Sequence, residues 1–312
     1  MAERAQRQPF RQRGLALVTA MLLVALVATI AAFLSLGQQV WLRQTENLRD
    51  RAQTQMVNRG AFGMAAALLA SDARRGASDN LTEAWARALP PLPVEGGGTI
   101  EARISDAQAR FNLNNLWRNG APSGTDIDVF RRLLRALDLE PELTEALLDW
   151  IDPDAVARPQ GAEDSDYRNA PMPYRAANQA LQSVDELRLV RGFSVEAVER
   201  LRPFVGALPD ATPINLNTAP REVLVALFGD PVRAQAILDA REQQPFANPP
   251  QLPPGVPAPQ AAYGARSNFF LVALDTRIGR LQDRSEALIR RADGGTATVL
   301  WQRPQPLTLA RE

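Results

Sequence analysis

From Leu15 to Leu36 the chain runs for 22 residues, LALVTAMLLVALVATIAAFLSL, without a charged side chain. A helix of that length is roughly 33 Å long at 1.5 Å per residue, enough to cross the hydrocarbon core of a bilayer. Ahead of it stand Arg4, Arg7, Arg11 and Arg13 against Glu3, a net side-chain charge of +3. By the positive-inside rule this leader stays in the cytoplasm and everything after Leu36 lies on the far side, with Trp41 and Arg43 suited to the outer interface. A cleaved secretory signal has a shorter apolar region, about 7 to 15 residues, and ends in a small-residue site. Here Gly37-Gln38-Gln39 follows the run. A plain N-terminal anchor fits the same physics.

Beyond the span, Gln38 to about Asp72 contains no proline and mixes Arg, Glu and Gln with Leu48, Met56, Phe62, Met64, Leu68 and Leu69. This predicts that the membrane helix continues as a half-buried helix ending near Arg74-Arg75-Gly76. Pro90-Pro91-Leu92-Pro93 and Gly96-Gly97-Gly98 break the chain, and Ile100, Ala102 and Ile104 then alternate as a half-buried strand does. Helices are expected at Ile127 to Leu137, Pro141 to Ile151, Val184 to Val190, Val195 to Val205, Arg221 to Phe228 and Val232 to Arg241. Seven prolines in 15 residues make Pro245 to Pro259 a loop. Strands return at Phe269 to Leu274, Ala287 to Ile289 and Thr296 to Trp301, the last two joined by Asp293-Gly294-Gly295. The predicted class is α+β: a long N-terminal helix packed on a small antiparallel sheet, with a large all-α domain inserted between its first and later strands.

Composition narrows the chemistry. The chain has no Cys, no His and no Lys, so every one of its 35 basic residues is Arg. This excludes Ser-His-Asp and Cys-His nucleophiles, Schiff-base lysines, the P-loop lysine and thiolate or imidazole zinc sites. A formal charge of zero gives no overall attraction to nucleic acid.

Charge is concentrated in one place. Between Asp138 and Asp166 ten acids face one base, Arg158. Asp138, Glu140, Glu142 and Glu145 have helical spacing and suit a solvated face near a helix N-terminus. Asp152, Asp154, Glu163, Asp164 and Asp166 fall in loop sequence, where short carboxylates can converge on the six to eight oxygens that Ca²⁺ takes. Asp149, Asn178 and Gln179 are further oxygen donors. The spacing is not that of an EF-hand. A solvated acidic loop and a catalytic carboxylate pair are the competing readings; the latter needs one carboxyl buried and one exposed, which nothing here marks.

Leu187, Gly192, Val195, Ala197 and Leu201 recur 37 residues later as Leu224, Gly229, Val232, Ala234 and Leu238, the second set following Ile214-Asn215-Leu216-Asn217-Thr218-Ala219. These segments resemble the helix-hairpin-helix units of DNA-binding competence proteins, which implies a membrane-anchored DNA-uptake receptor as the alternative function. Against it, the second hairpin puts Asp230 and Pro231 where backbone N–H groups would meet phosphate, and packing of a helical core accounts for the pattern.

The junction Arg13-Gly14-Leu15-Ala16-Leu17-Val18-Thr19 resembles the class III leader of type IV pilins and type II secretion pseudopilins. That resemblance implies cleavage by a prepilin peptidase between Gly14 and Leu15 and N-methylation of Leu15. Most members carry Glu at the fifth mature position, where Thr19 stands; the family that lacks it is minor pseudopilin K. Its large helical insert matches, and so do Ala107 to Leu116, Leu148 to Asp152, Pro173 to Asn178 and Ser183 to Leu187. The resemblance implies a leader at 1–14, a transmembrane helix at 15–36, a spine helix at 37–75, a sheet domain at 76–111 and 260–312, and a helical insert at 112–259. It also implies a non-enzymatic subunit of the bacterial inner membrane with a periplasmic C-terminal domain, capping the tip of the secretion pseudopilus. Expected partners are the I- and J-type minor pseudopilins, the major pseudopilin, the prepilin peptidase and the inner-membrane secretion platform. Calcium in the helical insert is part of the same implication.

Overall fold

The computed structural model describes residues 12–88, 90–95, 97–169, 172–292 and 294–305, so the leader residues 1–11 lie outside it. Helix α1, Gln12–Asp72, is unbroken over 61 residues, about 92 Å. Its apolar first part is exposed from Leu15 through Leu42, with no other element packed on it among the described residues. Its last part buries Thr54, Asn58, Phe62, Ala65 and Leu69, a stripe at intervals of three and four residues. The helix ends at Asp72, just short of the expected Arg74-Arg75-Gly76.

That stripe lies on a five-stranded sheet of β1 (Leu92–Pro93), β2 (Gly98–Asp106), β3 (Phe269–Ile278), β4 (Leu281–Arg291) and β5 (Ala297–Pro304), arranged in that order. All neighbours are antiparallel. Ile104 stands opposite Val272 and Val272 opposite Ala287. Phe62 and Leu69 pack with Phe270, Val272, Leu274 and Ile289. Below this apolar layer the packing is polar: Asn58 donates to Asp283 and Ser285 and accepts from Thr276 at 2.7 to 2.9 Å. That polar stretch explains why β4 is longer than the expected Ala287 to Ile289.

Between β2 and β3 the chain leaves the sheet and builds a second core around Phe111, Phe130, Leu133, Leu147 and Leu224. Its helices are α2 (Gly124–Ala136), α3 (Leu143–Ile151), α4 (Asp164–Arg168), α5 (Val195–Leu201), α6 (Arg221–Phe228) and α7 (Pro231–Gln243). A 3-10 stretch, Val184–Leu189, replaces the helix expected to Val190. From the end of β2 to the start of β3 the chain runs from 107 to 268. Besides its helices this stretch holds short parallel pairs, Phe111–Asn112 with Val205–Gly206 and Ile214–Asn215 with Tyr263–Gly264, which lie outside the main sheet.

These parallel pairs open two similar halves. In the first, the side-chain amide of Asn114 accepts from the backbone N–H of Leu181 at 2.9 Å and donates to its carbonyl at 3.0 Å. In the second, Asn217 does the same with Phe246, at 2.8 and 3.0 Å. The preceding Asn112 and Asn215 each accept from the N–H two residues on. The helix turns also correspond, with Asp138 at φ 51° and Gly229 at φ 68°.

A buried polar seam joins insert, sheet and helix end. The Asp106 carboxylate accepts from Thr218, Ser267 and Asn215 at 2.5 to 2.9 Å. Arg291, 2% exposed, lies 4.7 Å from the Phe270 ring centre and donates to Asp79 and Ser267, with Asp72 at 3.2 Å.

Candidate functional site

The acidic segment is anchored by α3, whose last turn carries Asp149 and whose C-cap is Asp152; both are fully buried. From there the chain loops outward through the exposed Asp154, returns at Gly161 and enters α4 at Glu163, which is 3% exposed. Carboxylate oxygens of Asp152, Asp154 and Glu163 lie within 4.8 Å of one another. This triplet is what the structure assembles from the five carboxylates expected to converge.

Asp164 and Asp166 turn elsewhere. The segment expected to be loop is a short helix from Asp164, and successive residues on a helix point about 100° apart, so Glu163, Asp164 and Asp166 cannot all face one point. Asp164 accepts from the backbone of Ala176 at 3.0 Å and pairs with Arg168 at 2.7 Å. Asp166 accepts from the Glu163 N–H at 3.1 Å and pairs with Arg191 at 2.8 Å. Asp149 is spent on Arg158. Gln179 is exposed, whereas Asn178, held at φ 46°, donates its amide to the Asp154 carbonyl at 3.0 Å.

What distinguishes the triplet is unmet hydrogen-bonding capacity. Asp152 Oδ1 and Asn178 Oδ1 are buried without a donor, and the buried Glu163 carboxylate faces the N–H groups of its own first helical turn without a well-formed hydrogen bond to them. Buried oxygens are rarely left so, each at a cost of about 1 to 3 kcal/mol. Burial, followed by the charges of Asp149 and Asp152, pushes the Glu163 carboxyl up to about 7. Burial likewise raises Asp152, although Arg158 opposes it. One carboxylate oxygen from each of Asp152, Asp154 and Glu163, gathered within 4.8 Å, with the Asn178 side chain tied to the Asp154 carbonyl beside them, is a donor set that suits a hard divalent cation.

Two residues that the spacing did not mark as site residues shape the pocket. Arg158, the lone base of the segment, is paired with Asp149 and Asp152. Gly161 lies so close to Asp149 that a β-carbon there would collide with Oδ2. The signal for Arg158 was its isolation among ten acids; Gly161 left none, because it acts through a contact made by the fold.

The hairpins of the helix-hairpin-helix echo are closed by their own chain. Ser194 caps α5 by accepting from Ala197 at 3.1 Å, and Asp230 caps α7 by accepting from Val232 at 2.7 Å. At each helix start one N–H that could meet a phosphate is thus already engaged, and at α7 the capping group is itself a carboxylate.

Comparison with known proteins gives consistent results. Models described as type II secretion system (T2SS), protein K match residues 109–210 and 214–265, one on each half of the insert. The type II secretion system protein K of Pseudomonas aeruginosa is 36% identical over 295 residues, covering 89% of this chain and 87% of its own length. The chain belongs to the type II secretion protein K family. The Aeromonas hydrophila member is 33% identical over 320 residues, covering 93% of this chain and 96% of that one. A crystal structure of the GspK-GspI-GspJ complex from the enterotoxigenic Escherichia coli type 2 secretion system has a chain that superposes with a TM-score of 0.73. It is 25% identical and covers 85% of this chain and all of that one.

As a protein K, the chain is a minor pseudopilin, a component of type II secretion with one apolar helix near its N-terminus long enough to cross a membrane. At position 19 the Thr hydroxyl donates to the carbonyls of Leu15 and Ala16 at 3.0 to 3.1 Å. Its hydrogen bond is satisfied inside its own helix. Past the span, the α1 face turned away from the sheet exposes Met56, Gly60, Gly63, Met64 and Ala67.

Proposed function

We propose that this chain caps the tip of the type II secretion pseudopilus and starts its assembly, together with I- and J-type minor pseudopilins. The observation that carries the reading is Thr19: with its hydroxyl turned onto its own helix, it offers no carboxylate to the amine of a neighbouring subunit. A subunit without that pair suits the end of a filament better than its interior. The small-residue face of α1 supports packing against other pilin-like helices, since glycine lets helix backbones approach closely.

In this reading the prepilin peptidase cuts after Gly14 and Leu15 becomes the N-methylated terminus. The mature helix sits in the bacterial inner membrane with a short cytoplasmic end, a periplasmic head, and contacts to the secretion platform and major pseudopilin. It works by assembly, not catalysis. Asp152, Asp154, Glu163 and Asn178 hold Ca²⁺, which supplies the positive charge their buried oxygens lack and ties the end of α3 to the start of α4.

The test is the intact mass of the chain recovered from membranes with and without the peptidase. The expected product begins at methylated Leu15 and copurifies with one copy each of the I- and J-type subunits, and Gly14→Ala stays uncut. A chain still beginning at Met1 would reduce the N-terminus to an ordinary anchor and overturn the assignment.

A further inference from the structure

Arg158 consumes oxygens selectively. Its backbone N–H donates to Asp149 Oδ2 at 3.0 Å, and its Nη1 donates to Asp149 Oδ1 at 2.5 Å and to Asp152 Oδ2. Three of the four oxygens of the Asp149–Asp152 pair are therefore bound by this one residue, and the fourth, Asp152 Oδ1, is left without a donor. That oxygen belongs to the carboxylate grouped with Asp154 and Glu163. A carboxylate gripped at one oxygen cannot rotate freely, so the grip fixes where the other points.

Arg158 is itself held. Its guanidinium lies 6.0 Å from the ring centre of Trp117, and its carbonyl accepts from Gly161 N–H at 2.9 Å. The close approach of Gly161 keeps Asp149 under that turn. Asp149 thus acts as a counter-charge for Arg158, not as a further cation ligand. Asp152 bridges the two systems, with one oxygen on the arginine and one on the open side.

We infer that Arg158 is a positioning residue for the cation site: it orients Asp152 so that Oδ1 faces Asp154 and Glu163, and it removes Asp149 from the donor set. The inference rests on the proposed Ca²⁺ site. It also runs against simple electrostatics, which makes it testable. An arginine beside a divalent cation repels it, so by charge alone its removal should tighten Ca²⁺ binding. By positioning, removal of its side chain frees Asp152 to rotate, leaves Asp149 buried with only the backbone N–H of residue 158 as partner, and weakens binding.

The experiment titrates Ca²⁺ calorimetrically into the full chain in detergent micelles after chelation, comparing wild type, Arg158→Gln and Arg158→Lys. Arg158→Gln is expected to bind at least tenfold more weakly although its site is one charge more negative. Arg158→Lys keeps the charge but carries it on a shorter, flexible stem in place of the planar guanidinium whose Nη1 meets both carboxylates, and is expected between the other two. Equal or tighter binding by Arg158→Gln overturns the inference while leaving the Ca²⁺ site standing. If that variant does not fold, Arg158→Lys binding as tightly as wild type does so. No Ca²⁺ binding by folded wild type overturns the site itself, and the inference with it.

Discussion

The two halves of the insert are built on one plan and closed in two ways. In the second half, α7 ends at Gln243 and the chain reaches Phe246, the residue gripped by Asn217, after Gln244 and Pro245. In the first half, α3 ends at Ile151 and the chain does not reach Leu181, gripped by Asn114, until it has passed through the acidic loop and α4. The grip is the same, a buried amide pairing with both polar groups of one backbone residue. The acidic site is therefore an elaboration of a scaffold that closes without it. Such an elaboration can carry unmet polar groups because the fold beneath is held by other bonds.

The largest expected effect tests that shared grip. Asn114→Ala leaves the Leu181 backbone and the Leu208 carbonyl without their partner, and is expected to cost about 3 kcal/mol; Asn217→Ala, which frees only Phe246, about 2 kcal/mol. Thermal unfolding should fall in that order, and a harmless Asn217→Ala would break the equivalence of the halves. A smaller effect separates them. Gly161→Ala forces a β-carbon onto Asp149 and is expected to cost about 2 kcal/mol. It should abolish any Ca²⁺-dependent rise in Tm while fluorescence or exchange probes in 214–264 stay unchanged.

The smallest effect is a pH dependence belonging to the first half. Glu163 binds its proton with a pKa of about 7 when folded, against 4.5 for the ordinary group. Between those values the folded chain holds the extra proton, so metal-free stability should fall as pH rises from about 4.5 to about 7, by on the order of 1 kcal/mol once solvent screening at the open side of the loop is allowed for. Glu163→Gln should flatten that slope in a series of chemical denaturations. Ca²⁺ binding must displace the same proton, so affinity should drop as pH falls below about 7.

How far the sequence revealed these features depends on the range of the interactions involved. The uncharged run from Leu15, the alternation of Ile100, Ala102 and Ile104, and the proline loop from Pro245 are local patterns and were legible. The polar lower half of β4 was not, because Gln282, Asp283 and Arg284 look like a turn until Asn58 of α1 is placed against them. Asp152, Asp154 and Glu163 were named, but so were Asp164 and Asp166, whose directions are set by one turn of helix that their acidic sequence concealed. The grip of Asn114 on Leu181 joins residues far apart in sequence through a side chain and a backbone, leaving no periodic trace. The roles of Arg158 and Gly161 arise from contacts that exist only once the loop is folded.

The seam around Arg291 has a mechanical consequence. Asp72 is the last residue of α1, Arg291 reaches from it to Asp79 and Ser267, and Ser267 meets Asp106, which also takes Thr218 of the insert. Along this route the end of α1 is joined to the head by side-chain contacts. A load applied along α1 would therefore enter the insert through buried charges and hydrogen bonds as well as along the chain.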